Sequence, residues 1–320
     1  MSIVTFEKIL NSTDLPTPTG IALKVMELSM DENATVEAIA EVVELDPAIS
    51  SRLLKIVNSP LAGMSRQIAS VSRAVSLVGV RTVSSMALSF SLINDHSEGS
   101  CEGFDFDLFW SEAIARASTT RHLASISKNF APDESFTCGL LSPIGKLALA
   151  CVFPETYAEA LRSLEHDNEQ ELIKIEQAMF EIDHNELAAR MMEEWHMPDI
   201  FCNAVRYQGN PDTEDGNDDI RDRQFTRMLH LAGSFSYILT RPTIYRDTLS
   251  SLVLEANQLG ITPEACHEVF DTVSQEWRDS GTIFSVKTRP VPTFAELYAQ
   301  TNDQTDGNNQ LDIESISCDS

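Results

Sequence analysis

Three short patterns in this 320-residue sequence contain residue types that catalytic sites use, and the first is Gly145-Lys146. A glycine followed by a lysine ends the phosphate-binding loop of many nucleotide-binding proteins, in which backbone N–H groups and the lysine hold the phosphates. Here Gly139 lies six residues before Gly145, whereas the loop requires five, and Leu147 stands where a magnesium-binding hydroxyl residue is needed. The segment is also apolar rather than glycine-rich, so we predict no phosphate-binding loop.

The second pattern is the dipeptide His166-Asp167, a pair that metal-dependent phosphohydrolases use as metal ligands. Such a pair needs a walled, partly dry setting and supporting groups that orient the ligands. The segment 163–169 is instead polar and comes directly before a helix start. We therefore predict a solvated loop here, without a metal ion.

The third pattern is His184, which follows a helix-start residue, Asp183. Leu187 and Ala188 occupy the positions three and four residues later, so the helix supplies no second ligand on the same face. The seven histidines include no pair at metal-ligand spacing, and no nucleophile-and-base arrangement stands out. We predict a helix-start histidine and expect neither a metal ion nor another cofactor.

The six cysteines are scattered along the chain and form no CxxC pair. Most of them lie in apolar surroundings, as Cys151 does between Ala150 and Val152. This pattern is typical of buried thiols in a reducing compartment rather than of a disulfide framework or a zinc site.

The elements that would position these residues are all predicted to be helices. Val36, Ile39, Ala40 and Val43 follow the i, i+3, i+4, i+7 spacing of a one-sided helix. Candidate N-caps recur at Thr35, Asp46, Ser70, Asn168 and Asp183. Longer helices are predicted over 109–127, 135–151, 223–240, 245–258 and 263–278. Strand signals are weak, so the predicted fold class is all-α.

The formal net charge of −26 bears on the possible partners, since 49 acidic residues face 23 basic ones. A field of that sign repels nucleic-acid backbones and anionic membrane surfaces, and the sequence shows no cluster of Lys and Arg. We found no signal peptide and no stretch approaching the roughly 18 apolar residues of a membrane helix. The sequence therefore predicts a cytoplasmic protein that binds neither nucleic acid nor membrane.

A series of short motifs occurs in a set order over roughly residues 6–210. It consists of Leu15-Pro16-Thr17-Pro18, Asp46-Pro47, Leu53-Leu54, Asn58-Ser59, Ser70-Val71, Ala74, Gly79, Phe104-Asp105, Phe109-Trp110, Gly139-Leu140-Leu141-Ser142-Pro143-Ile144-Gly145-Lys146-Leu147, Phe153-Pro154, His184 and Trp195-His196-Met197-Pro198. In order and spacing this series resembles the HDOD domain of bacterial signalling proteins, which is similar in fold to the catalytic HD phosphohydrolases. The resemblance implies an HD-like multi-helix bundle with an N-terminal helical lobe and a C-terminal helical extension.

The resemblance also allows each metal-binding position of the HD phosphohydrolases to be compared with this chain. Only His184 keeps a histidine, and the first histidine position holds Glu112. The remaining positions hold Ser142 and Pro143 in place of the His-Asp pair, Tyr207 and Gln208 in place of a histidine pair, and Gly233 in place of an aspartate. Two separated ligands cannot hold a two-metal centre, so the resemblance implies a degenerate HD domain without catalytic activity.

Four segments are predicted from these patterns. They are an N-terminal lobe of the HDOD module at 1–93, a degenerate HD-like lobe at 101–210, a C-terminal helical extension at 223–296 and a disordered acidic tail at 297–320.

The expected function is that of a non-catalytic regulatory protein in bacterial signal transduction, which binds signalling proteins that the sequence does not identify. One alternative is a sensor that binds a small nucleotide or second messenger in the degenerate metal pocket, where Arg116, Arg121 and Lys146 could offset the acidic charge. Another is a residual phosphohydrolase that uses His184, Glu112 and a further acidic residue that the sequence does not identify. We expect a filled site rather than a pocket, because Pro143 replaces a polar ligand with a group that can only pack.

Overall fold

The computed structural model describes residues 9, 11–31, 34–58, 67–96, 98–164, 168–213, 219–241, 243–303 and 310–312. The chain divides into two compact units. One unit spans Pro16–Glu98, and the other contains Gly99 onward together with the described residues before Pro16. The segments predicted at 101–210 and 223–296 thus belong to the same compact unit.

The Pro16–Glu98 unit contains five described helices, α1 Gly20–Met30, α2 Val36–Glu44, α3 Pro47–Val57, α4 Val71–Val78 and α5 Val80–Asp95. Helix α1 packs against α5, and α2 packs against α4. Helices α4 and α5 meet at a bend of 113°. Gly79 lies at this bend with φ of +89°, a left-handed backbone conformation that glycine adopts without steric cost.

The larger unit contains the candidate site. Its helices are α6 Phe106–Ser127, α7 Pro132–Leu141, α8 Ile144–Val152, α9 Pro154–Arg162, α10 Glu169–Phe180, α11 His184–Glu194, α12 Asp199–Tyr207, α13 Ile220–Thr240, α14 Arg246–Gln258, α15 Pro263–Phe284 and α16 Phe294–Asp303. Two short strands, β1 Thr243–Tyr245 and β2 Gln310–Asp312, pair antiparallel with Ile244 opposite Leu311. The predicted all-α fold class is confirmed, since this one short ladder is the only sheet in the described part of the chain.

Helix α6 is the centre of the larger unit, because α7, α13 and α15 all pack against it. Its small buried residues, among them Ala113, Ala117 and Ser118, allow close approach on more than one side. Helices α11 and α12 pack against each other, and α11 also packs against α8. The C-terminal helices α13 and α15 therefore enclose α6 rather than form a separate extension.

The helical stretch predicted over 135–151 is in fact two helices, which separate at Ser142 and Pro143. Proline lacks the backbone N–H that a continuous helix would use and clashes with the preceding turn, so the chain turns there. The combined segment Pro132–Val152 has a mean hydropathy of 1.5 over a membrane-length window. The prediction that the chain contains no apolar stretch of membrane-helix length is therefore wrong for this segment. In the folded protein, 83% of that window is buried.

Helix α16 crosses the boundary predicted at residue 297. Leu297 and Phe294 are completely buried, and Phe294 packs edge-on against Phe270 of α15 with ring centroids 5.5 Å apart. The start of the predicted acidic tail is thus part of the packed structure, because the tail contains an apolar side chain at helical spacing from Phe294. Residues 304–309 and 313–320 lie outside the described residues.

Candidate functional site

His184 is the first residue of α11, as predicted, and its imidazole is almost completely buried with 1% of its surface exposed. Asp183 caps the helix by accepting hydrogen bonds from the backbone N–H groups of Asn185 and Glu186. The ring lies between two carboxylates of α10. Its Nδ1 atom is 2.5 Å from Oε2 of Glu176, and its Nε2 atom is 2.8 Å from Oε1 of Glu169. Both ring nitrogens are therefore already engaged.

Glu176 is completely buried and has three hydrogen-bonding partners. Besides the ring of His184, it accepts a hydrogen bond of 2.9 Å from the His184 backbone N–H and one of 2.9 Å from the hydroxyl of Tyr157. Burial and the neighbouring Glu176 carboxylate raise the pKa of Tyr157 well above its usual value. Tyr157 therefore stays a neutral hydrogen-bond donor and stabilises the charge of Glu176.

Glu169 connects the buried histidine to the edge of the site. Its second oxygen accepts a hydrogen bond of 2.6 Å from Nζ of Lys146. Burial favours the neutral acid, but Lys146 and His184 outweigh it and hold the pKa of Glu169 well below its usual value. Burial likewise disfavours a charged His184, yet Glu176 and Glu169 outweigh it and raise the pKa of His184 to about 9. Glu169 is thus ionised and His184 protonated near neutral pH.

Gly145 explains how α8 approaches the start of α11 so closely. A Cβ atom at this position would lie 1.9 Å from the carbonyl oxygen of His184, a distance that no side chain can accommodate. Gly145-Lys146 therefore functions structurally: the glycine permits the contact between helices, and the lysine reaches Glu169.

Gln208 fills the space next to the former His-Asp position. Its side-chain nitrogen donates to the carbonyl oxygen of Ser142 at 3.1 Å and to Oδ1 of Asn185 at 2.7 Å. Its Oε1 accepts a hydrogen bond of 3.0 Å from Nη1 of Arg116. Ser142 and Pro143 are buried, and the Ser142 hydroxyl donates to the carbonyl oxygen of Gly139 at 2.9 Å. This part of the site is packed, as expected.

These residues do not fit a two-metal centre of the HD type. Both nitrogens of His184 face carboxylates, Ser142 turns its hydroxyl to the backbone, and Pro143 has no donor atom for a metal. Among the described residues, no group of three or more His, Cys, Asp or Glu side chains is arranged to hold a metal ion. The dipeptide His166-Asp167 lies outside the described residues.

The expectation of a filled site fails on the other side of Gln208, where a cavity of about 300 Å³ opens. Three of the degenerate positions line it, namely Glu112, Gln208 and Gly233. The other four, Ser142, Pro143, His184 and Tyr207, are not among its lining residues. Gly233 has no side chain to reach into this cavity, and the guanidinium group of Arg116 lies directly beside it.

The cavity is lined by several charged groups that the sequence alone did not bring together. Glu112 pairs with Arg241, which directly follows α13. Glu255 of α14 accepts a hydrogen bond of 2.6 Å from Ser234, and His230 Nε2 lies 3.9 Å from it. Arg116 and Lys146 line the cavity, as the sensor alternative requires. Arg121 does not, because it faces Glu276 at 3.7 Å elsewhere on the protein.

Sequence reasoning missed Glu169 and Glu176, which are the direct partners of His184. A signal was present: with Leu172 they follow the i, i+3, i+7 spacing that places three residues on one helical face. Acidic residues on the same face as a buried leucine indicate a carboxylate that points into the protein and needs a cationic partner.

The sequence profile of the HDOD domain matches residues 15–211, which is more than half of the chain. The chain belongs to the HDOD domain family. Its HDOD domain thus includes the Pro16–Glu98 unit and the part of the larger unit that contains His184 and Gln208.

Three comparisons place this HDOD protein among its relatives. It is 34% identical to the MmoQ response regulator of Methylococcus capsulatus strain Bath, over 82% of this chain and 99% of that chain, with a TM-score of 0.49. A structure from Shewanella amazonensis SB2B, described as a candidate phosphohydrolase, has a TM-score of 0.68 at 20% identity over 88% of this chain and 98% of that chain. That likeness concerns the fold alone. An uncharacterized protein of Treponema pallidum (strain Nichols) is 23% identical over 62% of this chain. The aligned region is only 38% of the length of that protein.

Proposed function

We propose that this HDOD protein is a non-catalytic regulator in signal transduction that acts by binding partner proteins. The observation that carries the proposal is the position of His184, the one histidine retained at the degenerate metal positions. Its ring nitrogens lie 2.5 Å from Glu176 and 2.8 Å from Glu169, so a metal could reach the imidazole only by displacing one of these carboxylates. Breaking the completely buried pair with Glu176 costs roughly 3–5 kcal/mol.

The signalling part of the proposal is supported by the relative from Methylococcus, which is named a response regulator and is 34% identical. The absence of a basic cluster together with the net charge of −26 favours proteins over nucleic acids as partners. The described cysteines, for example Cys138, are free thiols rather than disulfides, which suits a reducing, cytoplasmic setting.

Elemental analysis and a hydrolysis assay test the non-catalytic part. We expect purified full-length protein to contain less than a tenth of an equivalent (~0.1) of iron, manganese or zinc, because the described residues offer no open set of ligands. We also expect no hydrolysis of a phosphodiester substrate above the buffer rate when these metals are added. One or more equivalents of metal that His184→Gln releases, or hydrolysis that the same variant abolishes, would overturn the proposal.

Affinity capture tests the partner-binding part. The tagged full-length chain is used to capture proteins from native lysate, and each captured protein is then purified and its binding measured directly. A tagged, unrelated acidic helical protein is the control. If no captured protein binds the purified chain more tightly than it binds the control, the partner-binding role is wrong.

A second function, that of a small-ligand sensor, is favoured by the cavity beside Gln208. It needs no metal, and it is compatible with the buried ion pair of His184. The same protein could bind a ligand in the cavity and a partner on its surface.

A further inference from the structure

Among the described residues that line the cavity, Arg116 is the cation without a carboxylate in direct contact. Its one hydrogen bond within the described part of the chain goes to the neutral amide oxygen of Gln208, at 3.0 Å. No carboxylate of the described residues lies within ion-pair distance of its guanidinium group. A guanidinium has five N–H donors, so most of its hydrogen-bonding capacity remains for another group.

The carboxylates around the cavity are already satisfied by other residues. Arg116 adds to the effects of Lys146 and His184 that lower the pKa of Glu169, but the direct partners of Glu169 are Lys146 and His184, and Glu112 is held by Arg241. Glu255 accepts the hydrogen bond from the Ser234 hydroxyl. None of these acids has to turn toward Arg116 to find a partner, so its positive charge remains available to a molecule in the cavity.

Gly233 allows the guanidinium group of Arg116 to lie close to α13. A Cβ atom at this position would lie 3.1 Å from Nη2 and 3.2 Å from Cζ of Arg116. Those distances are shorter than an ordinary van der Waals contact, so a larger residue would push the end of the arginine side chain away. The absence of a side chain on this turn of α13 therefore sets the position of the guanidinium at the wall of the cavity.

The size and lining of the cavity limit the ligand. Its volume of about 300 Å³ is at the lower end of the range of ligand pockets, roughly 300–1,000 Å³. Neutral polar side chains, among them Asn168, Gln170 and Ser251, line it together with Leu172 and Tyr237. The net charge of −26 opposes ligands that carry several negative charges. These features suit a small molecule with one anionic group and an uncharged polar body.

We propose that this cavity binds a small metabolite with a single phosphate or carboxylate group, about as large as a nucleoside monophosphate, and that Arg116 holds the anionic group. This goes beyond the proposed regulatory function, because it adds a small-molecule ligand to which the protein responds. Arginine suits the task since its planar N–H groups match the oxygens of phosphate and carboxylate in pairs.

Calorimetric titration of the full-length protein tests this directly. The phosphate probes are inorganic phosphate and the nucleoside 5′-monophosphates, the carboxylate probes are acetate and N-acetylated amino acids, and a cyclic dinucleotide represents larger ligands with two phosphates. We expect one class of small probe with a single anionic group to bind at least about tenfold more tightly than its bare anion, because the body of the ligand also contacts the cavity. Whether the phosphate probes or the carboxylate probes bind identifies the anionic group of the ligand.

Three variants show where the ligand binds. Arg116→Gln is expected to weaken binding at least about tenfold, since it removes a charge-assisted hydrogen bond. Arg121→Gln is the matched control, because Arg121 lies on the same helix α6 but outside the cavity. Gly233→Ala is expected to weaken binding without lowering the melting temperature, because alanine favours the helix while its Cβ displaces the guanidinium.

The proposal is wrong if no probe binds at concentrations up to about 1 mM, or if Arg116→Gln and Arg121→Gln bind equally well. Tighter binding of the cyclic dinucleotide than of every small probe would also overturn it, since the cavity was inferred to be too small for that ligand. None of these outcomes depends on metal content or on partner capture, so failure here is distinct from failure of the regulatory proposal.

Discussion

The Nδ1 atom of His184 lies 2.5 Å from Oε2 of Glu176, and neither side chain exposes more than 1% of its surface. A buried ion pair of this kind is stable only when the remaining lone pairs and protons are also satisfied. Here Tyr157 donates to the second oxygen of Glu176, and Glu169 accepts from the second nitrogen of His184. His184, which the resemblance aligns with a metal ligand of the HD phosphohydrolases, is part of the hydrogen-bonded core that joins α10 to α11.

Glu176→Gln should lower the free energy of unfolding by about 3 kcal/mol, because it leaves a buried cation short of its closest carboxylate. Urea denaturation followed by circular dichroism measures this change. Glu181→Gln is the control, since Glu181 is exposed at the end of the same helix, and it should change stability by less than about 0.5 kcal/mol. Similar effects of the two variants would show that the buried pair does not stabilise the fold.

The stability contributed by His184 should depend on pH in a defined direction. The pKa of His184 is raised from 6.5 to about 9 by Glu176 and Glu169, against the opposing effects of burial and of Lys146. The folded state therefore binds this proton more tightly than the unfolded state. The resulting stabilisation is fully present below pH 6.5 and is lost as the pH rises through about 9.

Unfolding of the wild type and of His184→Gln across this pH range tests the prediction. The difference in their unfolding free energies should shrink by about 3 kcal/mol between roughly pH 6 and pH 10, since each pKa unit corresponds to about 1.4 kcal/mol. Groups that titrate in both proteins cancel in this comparison. A difference that stays constant with pH would show that His184 is not charged in the folded state.

Two neighbouring residues of the degenerate site should respond very differently to the loss of their polar groups. Gln208→Met should cost about 1–3 kcal/mol, because Gln208 is 5% exposed and its amide bridges Ser142, Asn185 and Arg116. Tyr207→Phe should cost less than about 0.5 kcal/mol, because Tyr207 is only half-buried. Thermal and urea unfolding measure both changes. The reverse order would show that the packed part of the site depends on Tyr207.

Leu297→Ala should lower the free energy of unfolding by about 3 kcal/mol, because Leu297 is completely buried in a helix that was expected to be part of the tail. Ala295→Ser on the same helix is the control, since Ala295 is exposed and should change stability by less than about 0.5 kcal/mol. Denaturant unfolding compares the two. Little effect of Leu297→Ala would place the start of the tail where the sequence predicted it.

Local sequence determined where the helices begin. Asp46, Ser70 and Asn168 each accept the backbone hydrogen bonds that an N-cap should accept. These interactions join residues two or three positions apart, so a short window of sequence contains all the information. The break at Pro143 followed the same local rule, but it was missed because the apolar residues on both sides continue the helical pattern.

The sequence by itself, through the order of its motifs, also predicted which metal ligands of the HD phosphohydrolases are absent from this chain. Only the tertiary structure decided what replaced them. Glu176 lies on the helix before His184, and Arg116 meets Gly233 from a helix more than a hundred residues earlier in the chain. Such contacts depend on how α6, α10 and α13 pack, and no periodicity within one helix specifies the angle or distance between two. For that physical reason the sequence could identify a degenerate site, whereas its buried ion pair and its open cavity became visible only in the folded protein.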